Sequence, residues 1–151
     1  MLTVILLAAA APAFDPIRFF AGQTRGDGQL KVILRRRVSV SVAGRGTVQP
    51  DGSLLLNQTV AEGTKPTRTR RWHLRRTSPG RYAGTLTDAR GPVTAEVDGS
   101  RLHLSFTTPS GFKVQQWLTL APDGRSADNV LRATRLGVTV ATLRERIVKV
   151  D

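Results

Sequence analysis

The stretch Val93-Thr94-Ala95-Glu96-Val97-Asp98-Gly99-Ser100-Arg101-Leu102-His103-Leu104-Ser105-Phe106 decides the fold class. Val93, Ala95 and Val97 alternate with polar residues before Asp98-Gly99, and Leu102, Leu104 and Phe106 alternate after it. Alternation with a period of two gives a strand one face for a core and one for water. A Gly-containing pair between two such runs turns the chain back on itself. The stretch predicts a β-hairpin.

The same grammar extends in both directions. Towards the C-terminus come Phe112 to Leu120, Asn129 to Thr134 and Val138 to Val150, separated by Pro122-Asp123-Gly124 and by Gly137. Towards the N-terminus, Arg81 to Asp88 turns Tyr82, Gly84 and Leu86 inward, and Pro79-Gly80 joins it to Thr67 to Arg76, where Trp72 and Leu74 share a face. Ser53 to Ala61 aligns Leu54, Leu56 and Val60. Lys31 to Ala43 reads as one long strand with Val32, Leu34, Val38, Val40 and Val42 on one side, and a further strand is expected near Gly22 to Gln29. Before it, Asp15 as a cap, Pro16 in the first turn and Gly22 as a stop predict one short helix around Asp15 to Phe20. Phe19 or Phe20 then plugs the core. No later stretch keeps a helical period, so the chain is all-β, with about 8–10 strands. Consecutive strands joined by tight turns favour an up-and-down antiparallel barrel, because closure removes the exposed edges. An immunoglobulin-like sandwich is the alternative. A barrel of this strand number can hold one small ligand.

Composition agrees with one compact domain. The chain has 151 residues, 40% apolar and 23% charged, with no internal repeat and no linker. It has no Cys, which excludes disulfides, thiolate chemistry and iron–sulfur clusters. Residues 2–13 read LTVILLAAAAPA, an uncharged apolar run ending in small residues, which predicts a signal peptide over residues 1–13 cleaved before Phe14. Residues 14–151 then form the mature domain. The run is too short for a membrane span, which needs roughly 20 residues.

Charge is the extreme quantity, +12 with 23 basic and 11 acidic residues. It predicts attraction to polyanions. Arg35, Arg37, Arg71 and Arg75 are expected to form an exterior stripe suited to an anionic membrane surface or an acidic polysaccharide. Exposed aromatics for stacking are scarce at 5%, so no nucleic-acid partner is expected.

Polar residues in register with apolar ones are the candidate lining of the interior, since a buried polar group needs a partner. Arg36 aligns with Leu34 and Val38, Gln58 with Leu56 and Val60, Arg70 with Trp72, Asp88 with Leu86, and Gln116 with Val114 and Leu118. Together with Trp72 and Tyr82 they are the expected ligand-binding set, with Arg offering two parallel hydrogen bonds to a phosphate or carboxylate. An Arg70–Asp88 pair is the purely structural alternative. Trp117 falls on the opposite face from Leu118 and Leu120, and His73 and His103 fall on the polar faces of their strands. No nucleophile elbow, phosphate loop or metal-ligand set appears, so neither catalysis nor a cofactor or metal is expected.

Several motifs also occur in a familiar order: Phe19-Phe20-Ala21-Gly22, Arg70-Arg71-Trp72, Tyr82-Ala83-Gly84 with Asp88 and Gly91, Gln116-Trp117-Leu118, and Asn129 eight residues before Gly137. On these the chain resembles a bacterial family known only as a domain of unknown function, whose members are small lipocalin-like envelope proteins, many of them lipoproteins. The chain departs from that pattern in lacking the lipidated Cys, in Gln58 for a usual Glu, in Gln115-Gln116 for an acidic pair and in Val130 for an Arg. The resemblance implies a lipocalin-like barrel in the periplasm and supplies no activity. The expected function is a non-catalytic envelope protein binding a small apolar or anionic amphipathic ligand inside the barrel. The alternative is a structural or surface-interaction protein with a filled barrel and an Arg-rich face.

Overall fold

The computed structural model describes residues 4–5 and 12–150; the expected signal segment therefore falls largely outside the described residues. One short helix, α1 (Pro16–Phe20), precedes ten strands: β1 (Gly22–Val32), β2 (Val38–Val48), β3 (Leu54–Glu62), β4 (Arg68–Ser78), β5 (Arg81–Leu86), β6 (Arg90–Asp98), β7 (Arg101–Thr107), β8 (Lys113–Leu120), β9 (Ser126–Arg135) and β10 (Val138–Lys149). Each strand pairs antiparallel with its sequence neighbours, and β10 returns to pair with β1 from Thr24↔Lys149 to Val32↔Ala141. The barrel is closed. A two-sheet sandwich is thereby excluded.

Turn chemistry explains why the meander folds back so tightly. Gly99, at φ 57, is the first of two loop residues between Asp98 and Arg101, and only this first position has a positive φ, as in a type II′ turn. The hairpin at residues 93–106 thus forms as β6 and β7. Asp15 caps α1 by accepting hydrogen bonds at Oδ1 from the N–H groups of Ile17 and Arg18, both 3.1 Å, and Pro16 occupies the first turn. The helix closes one end of the barrel with Phe14 and Phe19, whose rings lie 5.4 Å apart and are buried. Lys149 at the end of β10 donates to the carbonyls of Phe19 (2.6 Å) and Ala21 (2.8 Å), tying the plug to the last strand.

One sequence expectation is corrected. Lys31 to Ala43 is not a single strand: β1 ends at Val32, residues 33–37 form a hairpin tip, and β2 starts at Val38. The tip contains no Gly or Pro, and Leu34 takes the left-handed conformation at φ 62.

Inside, the apolar residues form two clusters. The larger runs from the helix plug through Leu54, Leu74, Leu102, Leu118 and Ile147 to Trp72, Leu86 and Leu104. The smaller, towards the open end, is Val40, Val42 and Val60 with Leu30 and Leu143 against them. A belt of polar side chains crosses the lumen beside them.

Candidate functional site

The belt is built by strand register. On β3 and β4, Gln58 lies directly opposite Arg70, and both face the lumen in line with Leu56 and Trp72. Gln58 Oε1 accepts from Arg70 Nε at 2.6 Å and from Trp72 Nε1 at 2.8 Å. The Arg70 guanidinium carbon sits 5.8 Å from the Trp72 ring centre, and Trp72 meets Phe106 edge to face at 5.9 Å. Across the lumen, register brings Gln116 of β8, Asn129 of β9 and Glu145 of β10 together. All three are buried. Asn129 Nδ2 donates to Gln116 Oε1 and to Glu145 Oε1, both at 3.0 Å. Space for the carboxylate comes from Gly26: a Cβ there would run into Glu145.

The two halves share one cavity of about 60 Å³, lined by Gln58, Arg70, Trp72, Gln116, Asn129 and Glu145 among apolar neighbours. Two features set its polar groups apart. Asn129 Oδ1 is fully buried with no hydrogen-bond partner among the described residues. Arg70 makes its hydrogen bond through Nε, and among the described residues no carboxylate pairs with it. Desolvation pulls the Arg70 guanidinium below its ordinary pKa; Glu145 opposes this, Arg68 adds to it and Asp88 opposes it again. The cavity therefore presents a cation on one side and a carboxylate with a free amide oxygen on the other.

The sequence-predicted residues divide. Gln58, Arg70, Trp72 and Gln116 meet at the cavity. Tyr82 is buried on β5 beside Ala95, nearer the helix plug and away from the cavity lining, and burial raises its phenol pKa, with Asp15 adding and Arg76 opposing. Asp88 lies at the open rim and pairs with Arg68 Nη1 at 2.6 Å, not with Arg70. Arg36 does not line the interior at all: it stands exposed in the 33–37 tip, because the strand expected to carry it inward ends at Val32. The same tip holds Arg35 and Arg37, so the expected exterior stripe is split from Arg71 and Arg75, which are exposed on β4. Asn129 and Glu145 were not among the expected lining residues. The signal for them was the same polar-in-register pattern, Asn129 between Ala127 and Leu131, Glu145 between Leu143 and Ile147.

The outer face explains the remaining aromatics and histidines. Trp117 stacks on His103, rings 5.2 Å apart and 12° from parallel, with Arg132 5.8 Å from its ring centre. His103 Nε2 bonds Gln115 Oε1 at 2.8 Å, and His73 Nε2 bonds Ser53 Oγ at 2.9 Å. Trp117 packs on the outside.

Residues 3–149 match the model of a family described as a protein of unknown function, DUF3833. The chain belongs to the DUF3833 family. No curated protein matches its sequence. Among solved structures, a protein of unknown function from the DUF3598 family of Nostoc punctiforme superposes with a TM-score of 0.64 at 16% identity, covering 93% of this chain and 51% of that one. This DUF3833 chain thus spans about half the length of that protein. An S-type phycobiliprotein lyase from Guillardia theta superposes with a TM-score of 0.67 at 7% identity, covering 89% of this chain and 90% of the other. At these identities the likeness shows the fold alone. Since one of the two barrels is a lyase, the likeness gives the non-catalytic expectation no support.

Proposed function

We propose that this DUF3833 member is a lipocalin-like binding protein of the bacterial envelope whose interior takes the head group of a small amphipathic anion. The observation that carries the reading is one cavity that holds both the half-buried guanidinium of Arg70, with no carboxylate paired to it among the described residues, and the buried Asn129 Oδ1, which has no hydrogen-bond partner there. The amide oxygen calls for a ligand or water, since a buried polar group without a partner costs about 1–3 kcal/mol, and the guanidinium keeps donors for an anion beyond the one it gives Gln58. A planar guanidinium is suited to a carboxylate or phosphate, while the amide oxygen and the Glu145 carboxylate beside it face a hydrogen-bond donor on the same molecule. The space of about 60 Å³ suits a head group alone, well below the ~300–1,000 Å³ of whole drug-sized ligand sites. An apolar tail requires neighbouring side chains to move, with Trp72 and Phe106 the large groups beside Arg70. The envelope address rests on the apolar leader at residues 2–13.

The test is titration with a dansyl-labelled fatty acid, alongside native mass spectrometry of protein purified from a periplasmic fraction. The expected result is a one-to-one complex that Arg70→Ala weakens by about 2–5 kcal/mol, the usual effect of removing one partner of a desolvated charge pair. Arg75→Ala, on the outer face, should leave binding unchanged. Thermal unfolding of each variant separates lost binding from lost fold. An Arg70→Ala protein that is folded and binds normally overturns the proposal.

A further inference from the structure

The two ends of the barrel differ in charge. The connections at the helix end, residues 48–54, 78–81, 98–101 and 120–126, carry three acidic side chains and three basic ones. At the open end, residues 31–38, 62–68, 86–90, 107–113 and 135–138 carry nine basic side chains against two carboxylates. Those two are already engaged, Glu62 with Lys65 at 2.7 Å and Asp88 with Arg68 at 2.6 Å. The connections of this rim therefore carry a net +7 of the chain's +12, against zero for those at the helix end.

The same rim exposes apolar side chains. Leu34 and Leu136 are each 97% exposed, and Ile33 and Val138 beside them are more than half exposed. They sit on neighbouring tips: β1 pairs with β10, and the Ile33 N–H donates to the Val140 carbonyl at 2.9 Å, so the β1–β2 tip rises beside the β9–β10 turn. Both leucines hold positive φ, 62 for Leu34 and 49 for Leu136. This conformation is disfavoured for a residue that carries a Cβ, and Asn or Gly relieves it. Neither turn geometry nor burial within the barrel accounts for leucine at these two positions. Apolar side chains held out on two adjacent tips of a basic rim have the composition of an interfacial membrane anchor.

We propose that the open rim docks on an anionic phospholipid bilayer, with Leu34 and Leu136 entering the interface and Arg35, Arg36, Arg37 and Arg135 meeting the lipid phosphates. Lys and Arg near such a surface are drawn to its negative potential, and the leucines add burial that a soluble polyanion cannot offer. Docking in this pose turns the end of the barrel opposite the helix plug to the membrane. The inference is independent of the cavity reading and rests on the rim alone.

Vesicle sedimentation at low salt tests it, comparing phosphatidylcholine vesicles with vesicles that also contain phosphatidylglycerol. Wild-type protein should bind the second kind and not the first. Leu34→Asn/Leu136→Asn, which suits the left-handed backbone and so preserves the fold, should lose at least about tenfold in vesicle binding while still binding dextran sulfate like wild type. Arg35→Glu/Arg37→Glu should lose both activities, and Arg101→Glu at the helix end neither. The inference is overturned if wild type ignores anionic vesicles, even where it captures an acidic protein. It is equally overturned if the leucine variant binds vesicles like wild type or loses dextran sulfate in parallel, or if Arg101→Glu matches the rim reversal. Arg70→Ala should leave vesicle binding intact, so failure of the cavity reading shows separately.

Discussion

Single side chains decide how the belt is held. Arg70 and Glu145 face one cavity from opposite walls, and the Glu145 carboxylate offsets part of the cost of burying the Arg70 guanidinium. Replacing either alone, Arg70→Met or Glu145→Gln, is expected to destabilise the barrel, and the double variant to be less destabilised than the sum by about 1 kcal/mol in a denaturant-unfolding cycle. Gly26 makes a sharper test of the same geometry. Gly26→Ala drives a methyl group into the Glu145 carboxylate and should cost about 1–3 kcal/mol, as overpacking does, with Glu145→Ala relieving part of it. Gly28→Ala meets the backbone of Arg144 instead, so the same second substitution should not relieve it. Tyr82 is the one tyrosine of the chain, so absorbance at 295 nm reports it alone. Burial raises its pKa, which places its titration in the folded protein above the ordinary value of about 10. The unfolded chain therefore loses this proton first, and stability falls as pH climbs past about 10, a slope that Tyr82→Phe should flatten. Gln58, Arg70 and Gln116 were legible in the sequence because a polar residue among alternating apolar ones can only point inward. Glu145 carries the same signature between Leu143 and Ile147, but Arg144 and Arg146 on either side of it make that stretch read as charged on both faces.

Elements were legible wherever a turn announced itself. Asp98-Gly99, Pro79-Gly80 and Pro122-Asp123-Gly124 each mark a reversal that the barrel makes, and Asp15-Pro16 marks α1. Asp15→Ala removes both cap hydrogen bonds and should cost about 1 kcal/mol in thermal unfolding. The failure at Lys31 to Ala43 has a physical cause. The reversal at residues 33–37 uses Ile, Leu and three Arg, so alternation continues through it as though the strand never bent. Leu34→Asn should therefore leave stability unchanged or raise it by up to about 1 kcal/mol, since Asn accepts positive φ more readily. That misreading also displaced Arg36 from the lumen and divided the expected Arg stripe. What replaced the stripe is a basic rim, which no strand-by-strand reading could assemble because its members come from five separate connections.

At the scale of the molecule, closure is the decisive step. Nine of the ten ladders join sequence neighbours, while the tenth joins β1 to β10 across almost the whole chain. Removing residues 141–151 deletes most of β10 and leaves β1 and β9 as open edges. That chain should aggregate, measured by size-exclusion chromatography, where the intact chain stays monodisperse. The same closure sets biosynthetic order against folding order. The first strand to leave the ribosome is the one that waits longest for its partner, and the chain is an unsealed ribbon until its final strand has been made. A holdase chaperone or a translocation channel that keeps the chain extended meanwhile works with this topology, because the barrel has no closed form to lose before that strand arrives.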